Sequence, residues 1–390
     1  MNPSTCDVNT AISCRVELGF VPPFYILMGP DAVQAETDGF DPIASEIHKG
    51  TGYHGLSLIR LALALTSPGQ TIVDIGAHSG TFTLPLASGG RSVLAFEPAP
   101  WDVSYLRGSV QRNKFGHLIE VVAAAVSNQP SQLRIVCAGR YAHVAPENEA
   151  GGHEVPAIVA GPVINKLSTP VGLIRIDIEG FEVEGLAGMA DWLRSSNGPP
   201  IIYESNHYWL GAHRRSAIEL REALFQLGYQ YHYLIRDGNR LTPIARADVQ
   251  PELSPDLIAT RTPLKSLPGW NITAPLTDDE FFAMVDTAIT VPYPPKYLSS
   301  LQCCLVEVVL KKLPNRLMQD PRMASPASKL ANSSDPLVRD AMKWYPRGVL
   351  LRMKYWARNT ARRTVGNLRQ IIRIVVTRLL ALVKDQGVAR

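Results

Sequence analysis

The chain has 390 residues, of which 46% are hydrophobic and 19% are charged, the proportions of a globular protein. Its apolar stretches are shorter than the roughly 18 residues that a membrane-spanning helix needs, so none is predicted. The net charge of +4 hides an asymmetry, because residues 343–390 contain 12 of the 39 basic residues but one of the 35 acidic residues. A mildly acidic body is therefore followed by a basic tail.

Five cysteines, Cys6, Cys14, Cys137, Cys303 and Cys304, form no C-x-x-C pair and no ligand spacing with histidine. An odd number without such a framework argues against a disulfide scaffold and favours a reducing compartment. The first residues lack a basic region followed by an uninterrupted apolar stretch, so no secretory leader is predicted. We therefore expect a cytoplasmic protein.

The first 66 residues divide into an irregular segment and a predicted helix. Residues 1–40 contain several prolines and glycines and are predicted to be an irregular N-terminal segment. From Asp41-Pro42 to Thr66 apolar residues recur at helical spacing, and Pro68-Gly69 then stops the pattern, so a helix is predicted there.

The most informative stretch is Thr71–Pro98. The apolar run Thr71–Ile75 is too short for a helix and rich in β-branched residues, so it predicts a buried strand. A glycine-bearing turn follows, and then residues 81–87 predict a helix. Ser92–Phe96 predicts a second strand, with an acid directly after it. This order is the first half of a doubly wound α/β sheet, whose ligands bind at the carboxyl ends of the strands.

The turn indicates the kind of ligand. A dinucleotide site needs G-x-G-x-x-G, but His78 stands where the middle glycine would be, and the lysine and Ser/Thr of a nucleotide P-loop are absent too. Asp74, Gly76 and Gly80 form D-x-G-x-x-x-G, with Glu97 placed 23 residues after Asp74. This pattern suits a ligand with a ribose and an amino acid but no phosphate, whose ribose hydroxyls Glu97 accepts. S-adenosylmethionine meets that description.

The middle of the chain predicts a helix at Trp101–Asn113 and strands at Leu118–Val126 and Gln132–Val136. The next segment, Tyr141–Gly161, is polar and contains glycine, so we expect a functional loop over the pocket. His143 and His153 lie on this segment, and solvated loop histidines are the expected interpretation of both.

A charged motif ends the fourth strand. Leu173–Ile178 predicts a strand on which Arg175, Asp177 and Glu179 share one face. Three charges on a central strand are costly unless they line a cavity, and the alternative is a structural ion pair with Gly180 as a turn residue. We favour the functional interpretation, because Asp177 would emerge at the carboxyl end of its strand.

Later elements complete the sheet. A helix is predicted at Phe181–Arg194 and a fifth strand at Pro200–Ser205, which ends on Glu204 and is followed by Asn206-His207. An amphipathic helix at Ser216–Leu227, stopped by Gly228, and a closing hairpin from Tyr229 follow.

Three blocks of this sequence resemble a known family. They are VDIGAHSGTFTLPLA, LAFEPAPWDVSYLRGSVQRN and LIRIDIEGFEVEGLAGM, which begin at residues 73, 94 and 173. They are similar to the FkbM-type S-adenosylmethionine-dependent methyltransferases, and the third block, with its D-I-E-G-x-E pattern, is the more specific. The resemblance covers roughly Asp41 to Tyr233.

The resemblance implies a Rossmann-like, doubly wound, mostly parallel sheet of the class I methyltransferase type that binds S-adenosylmethionine. In that fold the residues after the third strand flank the adenine ring. The residues expected to bind the cofactor are Asp74, Gly76, Ala77, Gly80, Glu97, Pro98, Ala125 and Ser127.

The acceptors that the resemblance implies are hydroxyl groups of saccharides or secondary metabolites. A hydroxyl is a poor nucleophile and needs a nearby base, for which Asp177, Glu179 and His207 are the candidates. Family members commonly carry lysine where Arg175 stands, and arginine cannot act as a base. Some related O-methyltransferases use a divalent metal held by carboxylates. Asp177 and Glu204 could serve so, but no third ligand can be assigned and no metal is predicted.

The last third of the chain lies outside the resemblance. The predicted domains are a methyltransferase domain at 41–245, a cap or substrate-side extension at 246–320, a linker at 321–336 and a C-terminal helical basic extension at 337–390. The extension carries an apolar stripe at helical spacing, formed by Leu368, Ile371, Ile372, Val375, Leu379 and Leu382, with arginines on the other side. Such a helix is typical of peripheral contact with an anionic membrane surface, here through residues 343–390 at the inner membrane face. Docking on the acidic body or on a partner is the alternative, and nucleic acid is not expected.

We therefore predict a cytoplasmic O-methyltransferase with a small-molecule or glycan acceptor, and the basic extension favours a lipid-linked glycan. One alternative is an NAD- or FAD-dependent oxidoreductase, against which His78 argues. The other is a non-catalytic Rossmann-like module that binds a partner or a membrane through its basic tail. The presence of Asp74, Glu97, Asp177 and Glu179 argues against such a loss of function.

Overall fold

A computed structural model describes residues 10–33, 41–138, 141–146, 150–244, 255–277 and 279–280. The chain divides into two compact units. The first comprises residues 1–246 and 256–274, and it contains every strand and α-helix with defined bounds. The second comprises residues 247–255 and 275–390. Within the described part of the chain, no helix is long and apolar enough to cross a membrane.

The described residues form fifteen strands and eight α-helices. The strands are β1 (Ile12–Val16), β2 (Phe24–Met28), β3 (Thr71–Ile75), β4 (Ser92–Phe96), β5 (Ile119–Val122), β6 (Ala125–Val126), β7 (Ser131–Ala138), β8 (Tyr141–Val144), β9 (His153–Ile158), β10 (Val171–Ile176), β11 (Ile201–Glu204), β12 (Tyr231–Arg236), β13 (Arg240–Ile244), β14 (Asp256–Thr260) and β15 (Asn271–Ile272). The helices are α1 (Pro42–Lys49), α2 (Leu56–Leu65), α3 (Thr83–Ser88), α4 (Pro100–Asn113), α5 (Ala160–Ile164), α6 (Glu182–Ser195), α7 (His207–Ala212) and α8 (Ala217–Gln226).

The main sheet has nine strands in the order β15-β13-β12-β14-β11-β10-β3-β4-β5. The five neighbouring strands from β5 to β11 are parallel to one another. Strand β14 is antiparallel to both of its neighbours, β11 and β12. The chain reverses its direction across the sheet between β3 and β10, which is the point where doubly wound sheets bind their ligands. The predicted doubly wound, mostly parallel sheet is confirmed.

The central strand β3 is buried at all five positions, which explains why its sequence is continuously apolar rather than alternating. Its neighbours Leu173 and Ile174 on β10 and Leu94 on β4 are also buried, so the middle of the sheet is covered on both faces. Asp74 is the one acid on β3, and its side chain is fully buried. A buried carboxylate needs hydrogen-bond or ion-pair partners, which Thr83 and Arg175 provide.

The helix predicted between residues 41 and 66 is two helices. Asp41 caps α1 by accepting the Ile43 N–H through Oδ1 at 2.8 Å, and Gly50 ends the helix with a φ of 65°. Gly55, with a φ of 71°, precedes α2. Both glycines adopt the left-handed conformation that side chains disfavour, so the chain turns between the helices. Pro85 is the third residue of α3, in the first turn, where a missing N–H costs little.

The N-terminal segment is not irregular as predicted, because β1 and β2 pair as an antiparallel hairpin. Two side chains of α4 complete hydrogen bonds for the backbone of β2. The N–H of Leu27 donates to Ser109 Oγ at 2.8 Å, and the N–H of Tyr25 donates to Asn113 Oδ1 at 2.7 Å. These contacts cross more than 80 positions of sequence and leave no local pattern to detect.

A second sheet, in the order β6-β9-β7-β8, corrects two predictions. The single strand predicted at Leu118–Val126 is split, with β5 in the main sheet and β6 in this one. The loop predicted at Tyr141–Gly161 contains β8, β9 and the start of α5. The small sheet has its own apolar cluster, formed by Ala125, Ile135, Val155 and Ala157.

The main sheet also extends beyond the predicted domain end at residue 245. Strand β14 lies between β11 and β12, so residues 256–260 belong to the sheet and not to a cap. Its side chains are mostly buried, and its register with β11 pairs Ile258 with Ile202. The predicted linker at 321–336 and the basic extension at 337–390 lie outside the described residues.

Candidate functional site

The predicted site residues follow the carboxyl ends of parallel strands. The turn 76–80 follows β3, Glu97 follows β4, Asp177 to Gly180 follow β10, and His207 comes soon after β11. Because these four strands are parallel neighbours, their ends lie on one edge of the sheet. The fold thus gathers residues that are up to 131 positions apart in the sequence, from residue 76 to residue 207.

The turn after β3 is held close to both neighbouring strands. The N–H groups of Gly76 and Ala77 both donate to the carbonyl oxygen of Phe96 at 3.0 Å. Gly76 and Gly80 have φ angles of 90° and 98°, and His78 between them has a φ of 51°. A side chain at position 76 would place its Cβ 1.8 Å from the carbonyl oxygen of Asp177. The backbone at the end of β10 therefore packs directly against this turn, which can be formed only with glycine at position 76.

Glu97 receives two backbone hydrogen bonds. The N–H of His78 donates to Oε2 at 2.7 Å, and the N–H of Ala99 donates to Oε1 at 2.8 Å. The side chain is almost completely buried, and burial, followed by the charge of Asp102, raises the pKa of Glu97 to about 7. Each carboxylate oxygen has a further lone pair, so the group can still accept hydrogen bonds from two hydroxyls.

Asp74 is bound entirely by the protein. Thr83 Oγ1 donates to Asp74 Oδ2 at 2.6 Å, and Arg175 Nη1 donates to Oδ1 at 3.1 Å. Burial raises the pKa of Asp74, and the Arg175 guanidinium lowers it. Arg175 also donates to the carbonyl oxygen of Gly76 at 3.2 Å and pairs with Asp177 through its other nitrogen. Asp74 therefore acts on a ligand only by shaping the turn.

The three charges predicted on β10 have different roles. Arg175 is an ion-pair centre between Asp74 and Asp177, with its guanidinium carbon 5.0 Å above the ring of Phe82. This is the structural alternative that the sequence left open. Asp177 is partly committed to that pair, whereas Glu179 lies beyond the strand in a turn, with a φ of 52°.

Glu182, to which the sequence assigned no role, shapes that turn. Its Oε1 accepts the N–H of Ile178 at 3.2 Å and that of Gly180 at 3.1 Å. The side chain is fully buried, and burial raises its pKa to about 7. A carboxylate in the first turn of a helix, three residues after another acid, is the signal that could have revealed it.

Helix α7, which follows β11 in the chain, lies against the turn at Gly180. A Cβ at Gly180 would come within 2.3 Å of the carbonyl group of Trp209. The Trp209 indole stacks on the His143 ring with centroids 4.1 Å apart. His143 is 2% exposed, so the prediction of a solvated loop histidine is wrong. The small sheet carries His143 to α7, which the sequence could not show. His153 is half-buried, and its ring lies 5.6 Å from that of Trp101.

Two residues predicted beside the adenine lie in the small sheet or just beyond it. Ala125 packs in the apolar cluster of the small sheet with Ile135 and Val155. Ser127 donates its N–H to Ile158, and its carbonyl oxygen would be 2.1 Å from a Cβ at Gly188 of α6. The sequence predicted one continuous strand that ends beside the cofactor. The chain instead leaves the main sheet after β5 and enters the small sheet at β6, so Ala125 and Ser127 belong to or follow the small sheet. Pro98 is half-buried directly after Glu97.

Three carboxylates, those of Asp177, Glu179 and Glu204, have oxygens within 4.8 Å of one another. Such a group could hold a divalent cation through oxygen ligands. All three are half-buried, and Asp177 is already paired with Arg175. Acidic groups of this kind are common without an ion, and we assign no metal to them.

Residues 74–231 match the family model of the methyltransferase FkbM domain. No curated protein matches the chain. Solved structures with similarity include magnesium protoporphyrin IX methyltransferase from Synechocystis PCC 6803, with 13% identity over 53% of this chain and 77% of that one and a TM-score of 0.32.

Two further structures are similar in the same range. Precorrin 8W decarboxylase from Methanobacterium thermoautotrophicum is 19% identical over 54% of this chain and 91% of that one, with a TM-score of 0.31. A TehB-like methyltransferase from Corynebacterium glutamicum is 13% identical over 56% of this chain and 94% of that one, with a TM-score of 0.33.

Proposed function

We propose that the protein transfers a methyl group from S-adenosylmethionine to a hydroxyl group of a saccharide or secondary metabolite, since residues 74–231 match the family model of the methyltransferase FkbM domain. The observation that carries the proposal is the turn 76–80 bound through its backbone to Glu97 at the switch point of the sheet. This arrangement places a ribose-binding carboxylate beside a glycine turn that lacks the sequence of a phosphate-binding loop.

The residues of this edge fit the cofactor. Glu97 has its carboxylate oriented by the N–H groups of His78 and Ala99, which leaves one lone pair on each oxygen for a ribose hydroxyl. Gly76 and Gly80 let the turn pack closely against Asp177 and Leu106, which fixes its path beside Glu97. Arg175 forms ion pairs with both Asp74 and Asp177, so the charges beneath the turn neutralise one another. The bound cofactor supplies an activated methyl group on a sulfonium.

The chain must then hold the acceptor oxygen in line and take its proton. Asp177 is a weak candidate for that base, because its carboxylate is paired with Arg175. Glu179 is half-buried in a strained left-handed turn that Glu182 and Gly180 hold, and strain of this kind is concentrated at functional sites. We assign Glu179 as the base, with His207 as the alternative.

Aromatic groups border the acceptor side. Trp209 and His143 stack beside the turn at Gly180, and Phe181 lies edge-on to His213 with centroids 5.5 Å apart. Phe181 and His213 are half-buried, so their rings can contact an acceptor that has both apolar faces and hydroxyls, such as a sugar ring, whereas Trp209 and His143 are themselves buried. The basic extension at 343–390 supports a lipid-linked glycan at an anionic, cytoplasmic membrane face as the source of that acceptor.

The test is calorimetric binding of S-adenosylhomocysteine to the wild type and to Glu97→Ala. Losing the ribose-binding carboxylate should weaken binding by roughly ten- to a hundredfold, equivalent to about 1.5–3 kcal/mol. Glu120→Ala is the matched control, because Glu120 is an exposed carboxylate on β5. Unchanged affinity in Glu97→Ala would refute the assigned pocket. Absence of binding by folded wild type would favour the non-catalytic, partner-binding module.

A further inference from the structure

We propose that His78 is a positioning residue for the cofactor, whose protonated ring joins the glycine turn to α1 and α4 through two buried carboxylates. The inference rests on the proposed function, because it concerns the same binding turn. It adds a residue to which the sequence assigned no role beyond excluding a dinucleotide.

The ring of His78 lies between acids from two different elements. Its Nε2 is 3.5 Å from Oδ1 of Asp102 on α4 and 4.0 Å from Oδ2 of Asp41, which precedes α1. Its Nδ1 lies 3.2 Å from the hydroxyl of Ser79. Asp41 and Asp102 are 4% and 5% exposed, so neither carboxylate can rely on solvent.

Asp41 uses its two oxygens for different purposes. Oδ1 caps α1 by accepting the Ile43 N–H, and Oδ2 is the oxygen that faces His78. The N–H of Asp41 donates to the carbonyl oxygen of Ala32 at 2.9 Å, which ties this acid to the N-terminal segment. A protonated His78 therefore connects the cofactor turn with the part of the chain before the first strand of the main sheet.

The charges around the ring favour its protonated form. The groups that face it are Asp102 on α4, Asp41 before α1, Glu97 after β4 and Asp177 after β10. Burial lowers the pKa of His78, and these four carboxylates, Asp102 first, raise it, with a net increase above the ordinary value. Among the described ion pairs, His78 is the cation that faces Asp41 and Asp102, so without it these buried acids would lose that counter-charge.

His78 also orients Glu97, the carboxylate proposed to bind the cofactor's ribose. The N–H of His78 donates to Glu97 Oε2, so the position of the ring and the orientation of Glu97 depend on one backbone segment. Holding the ring between Asp41 and Asp102 holds that N–H in place. Loss of the ring's proton weakens this anchor, and cofactor affinity should then fall as pH rises through the pKa of His78.

The first test is calorimetric affinity for S-adenosylhomocysteine between about pH 6 and pH 9 for wild type and His78→Asn, a range that brackets the ordinary histidine pKa. Asparagine tolerates the left-handed conformation, so the variant removes the cation while keeping the turn. Lys114→Asn is the control, because Lys114 is an exposed cation with a φ of 59° at the end of α4. His78→Asn should bind about tenfold more weakly near neutral pH and lose the decline that the wild type shows on the basic side. Titration of the ligand's own amino group is common to all three proteins and cancels in the comparison.

The second test uses Asp41→Asn. Asparagine caps helices as well as aspartate does, so this variant keeps the cap and removes only the charge that faces His78. If the ring acts through Asp41, the double variant that combines Asp41→Asn with His78→Asn should bind S-adenosylhomocysteine no more weakly than His78→Asn alone. Additive losses, or a wild-type pH profile in His78→Asn, would overturn the inference while leaving the methyltransferase proposal intact. Wild type that fails to bind at every pH would instead overturn the proposed function.

Discussion

The carbonyl oxygen of Asp177 occupies the space that a side chain at Gly76 would need. An added Cβ would lie 1.8 Å from that oxygen, and the φ of Gly76 is 90°. The two residues end neighbouring strands, β3 and β10, so their contact joins the cofactor turn to the motif that carries Glu179. A backbone carbonyl cannot rotate away as a side chain could.

Gly76→Ala is therefore expected to abolish cofactor binding or folding, with a loss of stability above about 4 kcal/mol. Chemical denaturation and S-adenosylhomocysteine calorimetry measure the two effects. Gly116→Ala is the control, since Gly116 has no atom within 4 Å of its added Cβ and no left-handed φ. Comparable behaviour of the two variants would contradict the close approach.

Glu182 makes stability depend on pH in a definite direction. Its folded pKa of about 7 lies above the ordinary value of 4.5, so its favourable contribution is complete below pH 4.5 and is lost as pH rises to about 7. Glu182→Gln retains an oxygen for the N–H groups of Ile178 and Gly180 but carries no charge. We expect the variant to gain up to roughly 3 kcal/mol relative to wild type between pH 5 and pH 8.

Urea denaturation at the two pH values checks this expectation, and Glu182→Ala provides the contrast. The alanine variant leaves two backbone N–H groups without their acceptor and should lose about 1–3 kcal/mol for each at both pH values. A stability difference between wild type and Glu182→Gln that does not change with pH would contradict the buried, proton-binding carboxylate.

Arg175 is the one cation that bridges Asp74 and Asp177 among the described ion pairs. Arg175→Met should destabilise the protein by about 3–5 kcal/mol, because it leaves a buried carboxylate without its counter-charge. The stability of Arg175→Lys should lie between that of the wild type and that of Arg175→Met, because an ammonium keeps the charge but cannot reproduce the two-pronged hydrogen bonding of a guanidinium. Thermal and urea denaturation measure both.

The control for Arg175 is Arg194→Met. Arg194 also pairs with an aspartate, but its side chain is 60% exposed and that of Asp191 is fully exposed, so little change is expected. Equal losses in the two methionine variants would show that burial does not govern the effect.

Glu179→Gln tests the assigned base. Its kcat for transfer of labelled methyl groups to a saccharide acceptor should fall by about 10²- to 10⁴-fold, the usual contribution of a general base. Affinity for S-adenosylhomocysteine should stay unchanged, because in this proposal Glu179 acts on the acceptor hydroxyl and Glu97 binds the cofactor. A larger loss in His207→Gln than in Glu179→Gln would transfer the role of base to His207.

The basic extension makes a separate prediction. Sedimentation with vesicles that contain phosphatidylserine should carry down the full chain at low salt, and vesicles of phosphatidylcholine alone should not. Replacing Arg362, Arg369 and Arg373 together with glutamine should weaken the association, as should high ionic strength. Equal binding to neutral vesicles, or no effect of the substitutions, would remove the membrane from the proposal.

Several parts of the site could be predicted because their signals are local. A buried strand, a glycine turn and a second strand follow each other within Thr71–Phe96, and each is determined by burial and backbone conformation over a few residues. The same holds for the acid at Glu97 and for the strand that precedes Asp177. Their meeting at one edge follows from the geometry of parallel strands, which is general.

The doubly wound core and the glycine turn could be derived from the residues alone, since periodicity and conformational restriction act over short distances. Three-dimensional packing was needed to show that β14 enters the main sheet, that β6 leaves it, and that His143 is buried against Trp209. It also decided that Asp41 and Asp102 face His78. These outcomes depend on which distant surfaces exclude water together and on which buried charges find partners, and neither is encoded in the spacing of neighbouring residues.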